Sequence, residues 1–198
     1  MKSIRFSVVI AAALFLVGCL PPTTTHPVGT TVASAGDPAL TGLWRARMQN
    51  ADQSDPDVYF HFLPMADGTI TVVLVQSGNK PDGDWSVASI TTATLGGNHF
   101  VNAKLKFSDG KIEADSDGPN TTPLLYRFDG PKHMTLSFLD EDATKAAIKA
   151  GEIKGTVEEG QFGDAVITAD PKSLDAFMAS KRGASLFGER FSTLTKIE

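Results

Sequence analysis

The chain has 198 residues, 41% of them hydrophobic, and a formal net charge of −5 from 18 basic and 23 acidic residues. Lysine and arginine are scattered and never clustered, which argues against a nucleic-acid groove or a basic patch for anionic lipid. The hydrophobic content supports one ordinary core, and the lone cysteine, Cys19, excludes an intrachain disulfide or a cysteine metal cluster.

The first feature in chain order is a charged, then apolar, then small-residue run. Lys2 and Arg5 precede about a dozen apolar residues at 6–17, and Gly18-Cys19 follows. A membrane-crossing helix needs roughly 20 apolar residues, whereas a secretory h-region needs roughly 7–15. Pro21-Pro22 ends this run early. The residues alone leave three readings: a lipoprotein signal, a plain signal peptide with Cys19 incidental, and an uncleaved anchor.

Leu16-Val17-Gly18-Cys19 resembles the lipobox of bacterial lipoproteins. The resemblance implies that residues 1–18 are a signal peptide and that Cys19 is lipidated, so that the membrane is a partner through that lipid. Several acyl chains, at about 0.8 kcal/mol per CH₂, hold such a protein permanently. Leu20 rather than Asp after the cysteine implies, for a Gram-negative source, the outer membrane facing the periplasm. Loss of residues 1–18 removes Lys2 and Arg5 but no acid, leaving 16 basic against 23 acidic residues, a net −7.

Residues 19–38 are expected to be the lipidated cysteine plus a flexible tether. From 20 to 38 the chain is mostly Pro, Thr, Gly, Ala, Ser and Val without an aromatic residue, too weakly apolar to order itself. As a coil, such a stretch spans about 25 Å.

Residues 39–198 read as a single β-rich domain. Val58, Phe60 and Phe62 share one face of an extended run, Asp67-Gly68 is a hairpin dipeptide, and 70–75 is β-branched enough for a strand buried on both sides. A turn at Pro81-Asp82-Gly83 leads to a strand or pair of strands over 85–95, ending at Gly96-Gly97-Asn98. Over 100–107, Val101, Ala103, Leu105 and Phe107 alternate with Asn102, Lys104 and Lys106, the pattern of a sheet with one wet face. Asp109-Gly110 turns into 111–114, and 124–128 pairs with 133–139 across Asp129-Gly130-Pro131, with Met134, Leu136 and Phe138 on one face.

Two short helices are expected in the C-terminal half. One starts at the cap Asp140 and stops near Gly151; the other starts at Asp170-Pro171, buries Leu174, Phe177 and Met178, and ends at Gly183. Short strands at 153–158 and 165–169 lie between them, and 191–197 is a candidate closing strand. The fold class is therefore mainly β, an antiparallel meander forming a barrel or sandwich, with two short helices.

Gly42-Leu43-Trp44 at the first long strand resembles the Gly-x-Trp start of lipocalin-type proteins. That resemblance implies a lipocalin-like closed barrel, with Trp44 packed under its closed end and an arginine, here Arg190, against it. An unrelated meander with Trp44 as a core residue fits the same residues. The region also resembles small lipoproteins of proteobacteria, which adds no activity.

Catalytic signatures are missing from the sequence. Residues 183–188 have the wrong spacing for a nucleophile elbow, and no zinc-protease, phosphate-loop or dinucleotide motif occurs. His26, His61, His99 and His133 are widely separated, so no metal and no cofactor is expected. Asp52, Asp55 and Asp57, and Asp115-Ser116-Asp117-Gly118, invite a calcium reading, but Pro119 and Tyr126 fall where an EF-hand needs ligands. Glu158-Glu159 point to opposite faces of a strand, which does not make an acid–base pair.

The expected role is thus a non-enzymatic, lipid-anchored envelope protein with an interaction or structural function, its partner an envelope protein. The alternative is a carrier of a small apolar molecule, with Trp44, Val101, Leu105, Leu136 and Phe138 as core or cavity residues and a cavity of several hundred Å³.

Overall fold

The computed structural model describes residues 21–31, 36–48, 57–76, 84–108, 111–113, 118–158, 164–188 and 192–197. In chain order the elements are β1 (Thr23–Thr24), β2 (Thr30–Thr31), β3 (Gly42–Met48), β4 (Val58–Pro64), β5 (Ile70–Gln76), β6 (Asp84–Leu95), β7 (Asn98–Ser108) and β8 (Lys111–Ile112). They continue as β9 (Thr122–Phe128), β10 (His133–Phe138), α1 (Glu141–Lys149), β11 (Gly155–Val157), β12 (Ala165–Ile167), α2 (Pro171–Met178), α3 (Lys181–Ala184) and β13 (Ser192–Lys196).

Eight strands close an antiparallel barrel in the order β3-β4-β5-β6-β7-β9-β10-β13, with β13 returning to pair with β3. The meander is therefore a barrel and not a sandwich. Alternation sets its interior: Trp44, Phe60, Phe62, Ile70, Val72, Ile90, Val101, Leu124 and Leu136 pack as one core. The closing strand expected over 191–197 is β13, and the hairpin at Asp67-Gly68 has Gly68 at φ +84°.

A second core lies outside the barrel wall. Phe100 and Leu125 point outward from β7 and β9 and pack with Leu139, Ile167, Leu174, Met178 and Leu186. Asn102 is buried on the same outer side. The wet face expected for β7 is therefore covered at Asn102, where α1–α3 and a small sheet of β1, β12 and β11 sit against the wall, while Lys104 and Lys106 stay partly exposed. By contrast β5, expected to be buried on both sides, is buried on one: Ile70 and Val72 face the core while Val75 is exposed.

The helices start where their caps demand. The Asp140 side chain accepts from Ala143 N–H, Asp170 accepts from Ser173 N–H, and Pro171 opens α2. A third helix, α3, was not foreseen. Gly183 does not end α2 but lies within α3, where a Cβ would sit 2.1 Å from the Phe177 carbonyl oxygen. Its missing side chain lets α3 fold back tightly on α2.

The flexible tether expected for 19–38 is corrected for the described part of it. Thr23 and Thr24 pair with Val166 and Ile167, Thr30 and Thr31 pair with Thr94 and Ala93, and Val28 is fully buried. What holds this strap is long-range polar bonding rather than local pattern. Asn102 Oδ1 accepts from Val28 N–H at 2.8 Å, its Nδ2 donates to Val28 O at 3.1 Å, and Asp175 accepts from Gly29 N–H.

Replacing Asn102 with Ala strands both buried polar groups of Val28, and each orphan costs about 1–3 kcal/mol. We expect a stability loss of about 2 kcal/mol in chemical denaturation, with new proteolysis within 21–31. Unchanged cleavage there would show that the strap does not depend on this side chain.

Candidate functional site in the barrel interior

The barrel has a sealed end and a more open one. At the sealed end, the turn at 38–40 brings fully buried Leu40 under the strands, and Trp44 Nε1 donates to the Leu40 carbonyl at 2.7 Å. Met134 and Leu194 are fully buried beside it, and Trp44 and Phe128 pack with centroids 6.1 Å apart. Tyr126 donates its hydroxyl to Asp37 Oδ2 at 2.8 Å, tying the strap to the floor.

Trp44 thus lies at the closed end, which the lipocalin resemblance implied and which a core tryptophan of an unrelated meander equally fits. Arg190, expected against it, lies outside the described residues. Lys196 of β13, in register with Trp44, sets its Nζ 5.3 Å from the ring centroid and near the Ala39 carbonyl.

Above the floor is a cavity of about 80 Å³. Its lining includes Val101, Leu105, Leu136 and Phe138, the four residues the alternation singled out. Ser86 and Thr122 are its polar lining residues, and they sit at the other end of the barrel. There the inward-facing Leu74, Leu105 and Phe138 are only partly buried, which marks that end as the mouth.

The volume falls short of the several hundred Å³ expected for a carrier. Phe60 and Phe62, stacked with centroids 6.3 Å apart, and Phe138 occupy much of the interior. The remaining space is roughly half the ~150 Å³ apolar cavity that accepts one benzene. It suits a slim apolar segment entering from the mouth rather than a bulky ring system.

Sequence reasoning passed over Phe60 and Phe62 as cavity residues, although their alternation was visible, and Val72 and Leu74, which sit in a continuous apolar run that shows none. It also missed Leu40, which reaches the interior through a turn. Trp44 is below the cavity rather than in its wall. Cys19 lies outside the described residues, as do Asp52, Asp55, Glu159 and 115–117.

The histidines do not meet. His61 and His133 are exposed on β4 and β10, His26 is in the strap, and His99 lies at the floor rim against the Tyr126 ring. Among the described residues no group of three or more His, Cys, Asp or Glu is placed to hold a metal ion.

Two features of the interior carry measurable consequences. Burial first, then the bond to Asp37, pushes the Tyr126 phenol far above the usual tyrosine range. A raised folded-state value means the native state holds its proton longer than the unfolded chain. Stability is therefore untouched below about pH 10 and falls as pH rises past that value. In a Tyr59→Phe variant the remaining phenolate absorbance should appear only together with loss of the fold. Ionisation of Tyr126 in a still-folded barrel would contradict the floor described here.

The second feature is Thr92, 1% exposed and facing inward opposite Val101, whose Oγ1 has no hydrogen-bond partner among the described residues. A buried unmade bond is costly, whereas an apolar replacement of the same shape is not. Thr92→Val should leave stability unchanged or raise it by about 1 kcal/mol, read by thermal or urea unfolding. A clear loss of stability would show that the hydroxyl is bonded.

With this geometry, the chain matches no protein-family model, no curated protein and no solved structure.

Proposed function

We propose that this chain is a lipid-anchored cell-envelope protein, without enzymatic activity, that holds a slim apolar molecule or acyl chain in its barrel. The observation that carries the ligand reading is the cavity itself. Its lining is apolar except for Ser86 and Thr122, and it is closed beneath by Leu40 and Trp44. Apolar pockets with a few polar groups at one end are the usual form of small-molecule sites.

The anchor reading rests on the Leu16-Val17-Gly18-Cys19 run and on the apolar stretch before it. Outer-membrane attachment on the periplasmic side belongs to the same proposal. Cys19→Ser should abolish fatty-acid incorporation and release the protein from the membrane fraction. Equal partitioning of variant and parent would remove the anchor from the account.

The ligand reading is tested by filling the cavity. Ala103→Leu places new methyl groups into space that is empty, so the fold should keep or gain thermal stability. Binding of a fluorescent fatty acid should weaken by about tenfold, or about 1.4 kcal/mol. Native mass spectrometry of protein taken from its own envelope should show a small apolar molecule bound.

A partner-binding or structural role is the second reading. It is favoured by apolar side chains on the outer surface, such as exposed Leu63 and Met65 beside the β4–β5 turn. A stoichiometric co-purifying protein, with an empty barrel, would decide for it.

A further inference from the structure

Near the mouth, four apolar side chains form a row on the outside of the barrel. Val75 of β5 is in register with Trp85 of β6, Trp85 stacks on Phe107 of β7 with centroids 4.3 Å apart, and Phe107 is in register with Ile112 of β8. Val75 is 44%, Trp85 41% and Ile112 79% exposed.

Phe107 joins this row through a backbone irregularity. The sequence pattern placed it inward with Val101, Ala103 and Leu105. Opposite the Val87–Ala88 step, however, the register shifts: Ala88 pairs with Leu105 and Val87 with Phe107, leaving Lys106 extra. A β-bulge reverses which face the following residues use. Phe107 therefore turns outward, and Ser108 pairs with Ser86, which lines the cavity.

The position of the N-terminal strap argues for what covers the row. The strap runs from Thr24, bridged to Thr121 at the mouth end of β9, down to Thr30, paired with Thr94 near the floor. Residues before Thr24 therefore emerge toward the mouth. Cys19 is two residues before Pro21 and so within about 7 Å of it along the chain. Thr121 and Ile112 lie on the same side of β7, since β8 and β9 both pair with that edge.

We propose that the row Val75–Trp85–Phe107–Ile112 rests on the phospholipid bilayer that the Cys19 lipid enters, turning the mouth of the barrel toward the membrane. This deepens the lipid-anchor reading and rests on it. Tryptophan and other amphipathic rings favour the membrane–water boundary, and a contiguous exposed apolar patch marks a contact surface. The contact is apolar rather than electrostatic. None of the four side chains in the row is charged, so the expected surface is zwitterionic. An apolar ligand would then pass between bilayer and cavity without crossing water.

The test uses the full-length protein, extracted from membranes and reconstituted into phosphatidylcholine vesicles with brominated acyl chains. Bromine quenches only nearby indoles. Trp85 should lose most of its emission while fully buried Trp44 keeps its own, and Trp85→Phe should remove the quenched component. Val75→Lys with Ile112→Lys, folded by circular dichroism, should abolish the quenching, whereas 0.5 M salt should not.

Mass analysis of Cys19 in the same samples separates the two readings. Acylated protein with unquenched Trp85 overturns the docking and leaves the anchor. Unacylated protein with quenched Trp85 supports the docking and overturns the anchor. Neither signal overturns both. A bound protein that shields Trp85 from aqueous quenchers, with no effect of brominated lipid, also overturns the docking.

Discussion

The barrel depends on a single long-range pairing, that of β13 with β3. Six of the other seven strand contacts in the ring join consecutive wall strands by hairpins or local loops, but β13 arrives after the whole helical excursion from α1 to α3. Lys196 then pairs with Trp44 and Ser192 with Met48. Without that strand, β3 and β10 would present open edges and the interior core would face water. Closure fixes strand tilt and stagger together, so alternate side chains meet at the axis. The floor follows from the same pairing, because it sets Lys196 over the Trp44 ring.

The strap is the second long-range device, and it explains what was legible in the sequence. Elements specified by their own neighbours could be read directly: the β9–β10 hairpin, the caps Asp140 and Asp170, and the inward set Val101, Leu105, Leu136 and Phe138. Elements specified at a distance could not. Nothing in Thr-Thr-Thr-His-Pro-Val-Gly announces order, since its bonds come from Asn102 and Asp175, 74 and 146 residues away. The apolar strip at 100–107 looked uniform because a bulge leaves no mark in an alternating pattern until the partner strand is known. The same blindness hid Lys196, whose role depends on register with Trp44 alone.

Covering one wall from both sides gives the barrel an asymmetry. Toward the floor, the β6–β7–β9 wall carries the interior core on one face and the second core on the other, with the strap and α2 pressed against it. The β4–β5 side keeps an outer surface open to solvent, with exposed Leu63, Met65 and Val75.

The cavity follows from side-chain size. Its small lining residues, Ser86, Ala88 and Ala103, come from β6 and β7, while bulky Phe60 and Phe62 come from β4. Small side chains there leave space that the core does not close. Unfilled apolar volume costs about 24 cal/mol per Å³, so a cavity of about 80 Å³ costs about 2 kcal/mol. A molecule that fills the space would offset the cost directly, so occupancy and stability would rise together.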